Sequence, residues 1–222
     1  MPRGLYTQRL QELQDEVLVL GAMVARAMER STQSLRTRDT ELSRAVVNED
    51  HDINAKRFHL EDDIVQIIAT QGPMAQDLRM IIAALSIVTD LERMGDHAEG
   101  NARLNLMMSQ FETRPPQDDR VWRMAELAGA MLDRSLQAFV NHDSAAAREV
   151  SDQDDEVDRL YNEHYGVLIE QMVKDPSLVT PLTYQLWTAH NLERIADRVT
   201  NICERVIYLV TGRLEEINVS RY

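Results

Sequence analysis

The chain has 222 residues, with 24 basic against 37 acidic side chains and a formal charge of −13. That balance argues against nucleic acid as the main partner, because phosphate binding needs a basic face. A single cysteine excludes an intramolecular disulfide or a cysteine-based zinc site. Hydrophobic residues supply 44% of the chain but aromatics only 5%, so aliphatic side chains must fill the core; 8 glycines and 6 prolines leave few turns and point to long helices.

Met1–Leu10 reads MPRGLYTQRL and lacks the apolar stretch of a signal peptide. The longest apolar run, near Met80–Val88, is far short of the roughly 18 residues of a membrane span. A reducing, cytoplasmic setting with no direct membrane insertion is expected. Lys56 and Lys174 are the only lysines, so the remaining basic residues are Arg, whose fork can pair carboxylates bidentately beside a core.

In chain order, Leu13, Val17, Leu20, Val24, Ala27, Ser31 and Leu35 form the apolar stripe of a first helix. Asp39 then has the character of an N-cap. Leu42, Val46, Ile53, Leu60, Ile64 and Ile67 continue as a second helix, Gln71-Gly72-Pro73 turns, and a third helix runs from about Met74 to Gln110. Val121, Met124, Ala128, Met131, Ser135 and Phe139 mark helix four. Asp143 caps helix five, which runs to about Met172; Lys174-Asp175-Pro176 turns, and helix six runs from about Leu178 to Val210. Met23, Met28, Met74, Met80, Met94, Met107, Met108, Met124 and Met131 are expected to be mostly core fillers.

The second half repeats the first. Asp39 matches Asp143 and Asp50 matches Asp154 at an offset of 104, and Glu92 matches Glu193 and Asp96 matches Asp197 at an offset of 101. The change of three falls in the turn between two helices, where length varies most easily. Leu91–Asp96 (LERMGD) becomes Leu192–Asp197 (LERIAD). The expected fold is all-α: six long helices in two tandem pseudo-symmetric three-helix bundles, residues 1–113 and 114–222, joined near Thr113–Asp118.

The informative residues are acids where apolar side chains belong. At about 100° per residue, Leu78, Ile82, Leu85 and Thr89 share one face of helix three, and Glu92 and Asp96 fall in its middle. Helix six behaves alike, with Leu182, Leu186 and Ala189 leading to Glu193 and Asp197. A buried carboxylate costs several kcal/mol unless it is paired or holds a cation. Helices two and five carry matching pairs, Asp50 with Asn54 and Asp154 with Asp158. Antiparallel packing within each bundle brings the pairs together. Each cluster then offers oxygen ligands suited to a divalent ion such as Mg, Ca or Mn, or to iron. Asn54 cannot ionise, which weakens the set around Asp50. A network of Arg57, Arg93, Arg194 and Arg198 with the same acids stands as the alternative. Cys203 falls on the apolar face of helix six as a core residue, His97 is structural or sits beside the ligands, and His51 and His164 belong to the surface or a groove.

At these residues the chain resembles the PhoU family of phosphate-signalling regulators. The likeness rests on the tandem repeat, on Asp77-Leu78-Arg79 after a Gly-Pro turn, and on the doubled LER-x-x-D, and it covers roughly Tyr6 to Gly212. It implies an α-helical, cytoplasmic, often dimeric protein with no established enzymatic activity. It implies restraint of the phosphate-starvation response (the Pho regulon) and of phosphate uptake, through a sensor histidine kinase and the ATPase of the Pst ABC transporter. It also implies metal clusters held by E/DxxxD motifs, here Glu92/Asp96, Asp154/Asp158 and Glu193/Asp197. Asp50-x-x-x-Asn54 departs from that pattern.

Two rivals share these features. A helical adaptor unrelated to phosphate would fold alike and differ in its partners. A carboxylate-bridged di-metal enzyme needs Glu-x-x-His on two helices, a spacing none of the six histidines supplies. No glycine-rich phosphate loop is present in the sequence.

Overall fold

The computed structural model describes residues 3–112, 115–116 and 118–217. The boundary expected between 113 and 114 lies outside them. The helices are α1 (Arg3–Thr37), α2 (Thr40–Gln71), α3 (Ala75–Met108), α4 (Asp119–Asn141), α5 (Ser144–Ser151), α6 (Asp154–Lys174) and α7 (Val179–Thr211), with one 3-10 turn at Pro176–Leu178; no strand occurs among the described residues.

The apolar stripes form the core. Val17, Leu20 and Val24 of α1 and Leu60 and Ile64 of α2 are wholly buried. Asp39 caps α2 by accepting the Leu42 N–H, and Asp143 caps α5 by accepting those of Ala145 and Ala146. Gly72 ends α2 at φ +56°, a conformation only glycine adopts cheaply, and so reverses the chain into α3. Met28, Met80, Met94, Met108, Met124 and Met131 are core residues as expected, whereas Met74 and Met107 are exposed.

Helix five is not one helix. It breaks at Asp152–Gln153, where the N–H groups of Gln153 and Glu156 reach back three residues, to Val150 and Gln153. The run Ser151–Glu156 explains this: Ser and Asp side chains compete for the backbone and are poor helix formers. α5 and α6 therefore act as one bent arm, with Asp154 opening the new helix.

α1, α2 and α3 pack together, and α4, α5 and α6 pack with α7. The long helices α3 and α7 also pack against each other, so one continuous core crosses both bundles. Polar pairs pin that seam: Asp90 accepts from Asn201 at 3.1 Å and from Arg198 at 3.4 Å, and Asn191 donates to Asn101 at 2.9 Å.

Candidate carboxylate sites

In the first bundle, α2 runs back along α3 and closes on it at Gly95. A Cβ there would lie 3.1 Å from the Ile53 side chain and 3.7 Å from Asp50 Oδ1, so a larger residue would need Ile53 to give by a few tenths of an ångström. Asp50 Oδ2 accepts from Asn54 at 2.8 Å, while Asp50 Oδ1 is buried without a hydrogen-bond partner. Burial, then the charges of Glu99 and Asp96, push the Asp50 carboxyl up to about 6. Burial and Asp96 raise Glu92, and burial and Glu99 raise Asp96. Arg57 lies 3.6 Å from Glu92 and 3.2 Å from Glu61, with its guanidinium over the Phe58 ring.

The face expected for Glu92 and Asp96 needs correction. Leu78 and Ile82 are each 37% exposed and Asp96 is exposed. The buried face of α3 runs instead through Ile81, Ala84, Val88, Leu91 and Ala98. α3 is apolar on most sides because it packs against α1, α2 and α7, so periodicity alone misplaces its phase. Glu92 and Asp96 stand on a flank that opens to solvent.

In the second bundle the expected face holds. Leu182 and Ala189 are fully buried, and Glu193 is only 6% exposed. Asp154 is 2% exposed and opens α6, where the helix dipole partly offsets its charge. Burial, then Asp158, Asp197 and Glu193, push Asp154 up to about 7; burial and Asp197 push Glu193 up to about 7 against the pull of Arg194. Asp158 and Asp197 are raised too, chiefly by burial. Arg194 donates to Asp197 at 2.7 Å and lies 3.5 Å from Glu193, whose Oε2 has no hydrogen bond and sits 3.6 Å from His190 Nδ1.

The Arg–carboxylate alternative is seen in part. Arg57 and Arg194 serve Glu92, Glu193 and Asp197, while Arg198 is drawn to Asp90 in the seam. Asp50 has no ion-pair partner among the described residues. Among those residues no group of three or more His, Cys, Asp or Glu side chains is arranged to hold a metal ion as the side chains stand. The donor chemistry nevertheless fits a hard cation: oxygen ligands only, mutual repulsion, and buried oxygens on Asp50 and Glu193 with no hydrogen bond.

His164 also needs correction. It is fully buried, both ring nitrogens lack hydrogen bonds, and burial lowers its pKa. His51 is exposed as expected. His97 bonds Asn191 in the seam, and Cys203 is a core residue whose thiol burial pushes up to about 12. Sequence reasoning missed Glu99, three residues beyond Asp96 and hence beside it on the helix, though that spacing was there to find.

The PhoU domain model matches residues 17–104 and 121–206. The chain is similar to the phosphate-specific transport system accessory protein PhoU homologues of Clostridium acetobutylicum (35% identity, 98% of this chain and 100% of that one) and Streptococcus pneumoniae (32%, 97% and 100%). Among solved structures it resembles the phosphate transport system regulatory protein PhoU from Streptococcus pneumoniae, with a TM-score of 0.89 at 32% identity over 95% of this chain and 99% of that one. It also resembles PhoU from Pseudomonas aeruginosa, with a TM-score of 0.90 at 31% identity over 94% and 100%.

Proposed function

The chain belongs to the PhoU family, and on that premise we propose that it acts by binding, without catalysis, as a negative regulator of phosphate uptake and of the phosphate-starvation response. The partners in this reading are a sensor histidine kinase and the Pst transporter ATPase, met in the cytoplasm by a homodimer. The observation that carries it is the family match over both repeats, together with relatives named as accessory proteins of phosphate-specific transport. Among the described residues no helix is long and apolar enough to cross a membrane. Deleting the gene should raise phosphatase expression in phosphate-replete cells, read as enzyme activity in whole cells. Unaltered expression refutes the reading.

The carboxylate clusters are proposed as cation sites, Asp154, Asp158, Glu193 and Asp197 in the second bundle and Asp50, Glu92 and Asp96 in the first. A bound divalent or iron cation would neutralise carboxylates that now repel one another and would tie α6 to α7 and α2 to α3. Replacing Glu193 and Asp197 together by Ala should abolish metal uptake by the second bundle while sparing the first, as counted by elemental analysis. Unchanged stoichiometry in that double variant sinks the ligand assignment.

A further inference from the structure

Apart from the carboxylate clusters, α1 and α4 enclose an open groove of about 650 Å³. At one end the helices touch: a Cβ on Gly21 would collide with Leu136 Cδ1, so α4 seats directly on the α1 backbone. At the other end Arg36 lies 5.4 Å over the Trp122 ring and bridges the helices. Residues 21 and 36 are about 22 Å apart along α1, or some four helical turns.

Between these ends the floor is held open by small residues. Ala25 of α1 and Ala125, Gly129 and Ala130 of α4 line it, with buried Met28 beneath, and a Cβ on Gly129 would meet nothing within 4 Å. The rim carries Glu29, Glu126 and Asp133 against Arg36, which is already engaged with Trp122. Glu126 has Arg123 at 3.5 Å, whereas Glu29 and Asp133 have no ion-pair partner among the described residues. The offset of 104 that relates the repeats maps Ala25 onto Gly129 and Glu29 onto Asp133. The small floor residue and the acidic rim residue therefore occur on both walls.

We propose that this groove docks a basic amphipathic helix of a partner protein. Its apolar side chains would repeat at i, i+3 or i+4, and i+7, fill the space over Gly129, and be flanked by Lys or Arg facing Glu29 and Asp133. A trough between two helices accepts a third helix by the packing that builds the rest of the fold. The acidic rim selects a basic occupant, and a second copy of this chain, at −13, would add like charge. This inference says where and by what chemistry a partner is held, and it stands whether or not that partner belongs to phosphate signalling.

The test uses the full chain carrying Trp187→Phe, so that Trp122 alone reports by fluorescence. The probe is a helical peptide of about 18 residues, about five turns, with Leu on one face and Lys on the flanks. Its counterpart carries Glu in place of Lys. The Lys peptide should bind and shift Trp122 emission, and the Glu peptide should bind at least about tenfold more weakly. Gly129→Leu starts from a position where a Cβ has open space and replaces a mid-helix glycine, so melting should not fall while binding falls at least about tenfold. Glu29→Lys with Asp133→Lys should reverse the preference. Equal binding of the two peptides, binding untouched by Gly129→Leu, or no binding of either overturns the proposal. So does a change in the chain's own sedimentation on Gly129→Leu, which would make the occupant a second copy. None of these outcomes depends on the gene-deletion phenotype.

Discussion

Asp154 is 2% exposed and Glu193 6%, while their counterparts in the first bundle, Asp50 and Glu92, are half-buried and Asp96 is exposed. The counter-cation differs as well. Arg57 of α2 serves the first cluster, and its counterpart at +104 is Tyr161; Arg194 of α7 serves the second, and its counterpart Arg93 is exposed. The contrast extends to the turns that start α2 and α5. In the first bundle Asn105 donates to Ser34 O at 3.0 Å, Asp39 O at 3.1 Å and Ser43 Oγ at 2.8 Å; the repeat offsets turn these three side-chain positions into Ala138, Ala147 and Val206, all buried. One backbone plan thus tolerates a polar lock or an apolar plug at one place, provided each is complete. At the cluster it tolerates different depths of burial, which set how strongly its carboxyls resist ionisation.

The largest effect is expected at the polar lock. Asn105→Val alone removes three buried hydrogen bonds, although Ser34 O keeps the Asp39 N–H and Asp39 O keeps the Ser43 N–H and hydroxyl, and should cost about 2–4 kcal/mol. Adding Ser34→Ala and Ser43→Ala, which copies the second bundle, should recover most of that loss. Denaturant melting of the single and triple variants checks it. A triple variant no more stable than the single one would mean that the polar lock is required by something other than hydrogen-bond completeness.

The clusters should separate next, by pH. Without cation, Asp154 and Glu193 hold protons up to about 7 and Asp50 up to about 6, each above its ordinary carboxyl value. The folded state therefore binds more protons than the unfolded one across that window, and stability rises as pH falls from about 8 toward 6. His164 works in the opposite sense: its lowered pKa makes the unfolded state the better proton acceptor below the ordinary histidine value, so the gain erodes further down. After allowance for solvent screening the rise is about 1–3 kcal/mol, or roughly 2–10 °C in melting temperature. Asp154→Asn with Glu193→Gln should remove most of the pH dependence and Asp50→Asn a smaller part. Calorimetry at pH 6 and 8 decides, and equal losses in the two bundles would break the contrast.

Much of this was legible in the residues. Asp39 and Asp143 announced their caps by type and position, and the stripes of α1, α2 and α4 named their core residues because those helices bury one face. α3 did not announce its phase, since a helix buried on several sides has no single apolar stripe. The break at Asp152–Gln153 was carried by the Ser-Asp run, a propensity signal that a continuing apolar pattern overrode in the reading. His164 was misplaced for a related reason: a histidine beside Glu163 reads as surface, and only the packing of the arm shows that it points inward. The repeat offsets found the clustered acids, but their burial depends on how far each bundle closes, which the two sequences do not state.

The smallest effect sharpens the contrast most directly. Asn54 is the one position where the first cluster lacks the acid of the second, and its amide donates to Asp50 Oδ2 at 2.8 Å. Asn54→Asp removes that donor and adds a charge four residues from Asp50 on the same face. Both changes disfavour the Asp50 carboxylate, so its pKa should rise above about 6 toward that of Asp154. The cost in cation-free stability at pH 8 should be only about 0.5–1 kcal/mol, because this flank opens to solvent. Added divalent ion should reverse the loss and tighten binding to the first bundle, since a carboxylate is a better ligand for a hard cation than an amide. Titration of the variant with Mn²⁺ against the parent chain reads this. A loss of stability that no cation relieves would mean that the first cluster is held by Arg57 and hydrogen bonds alone.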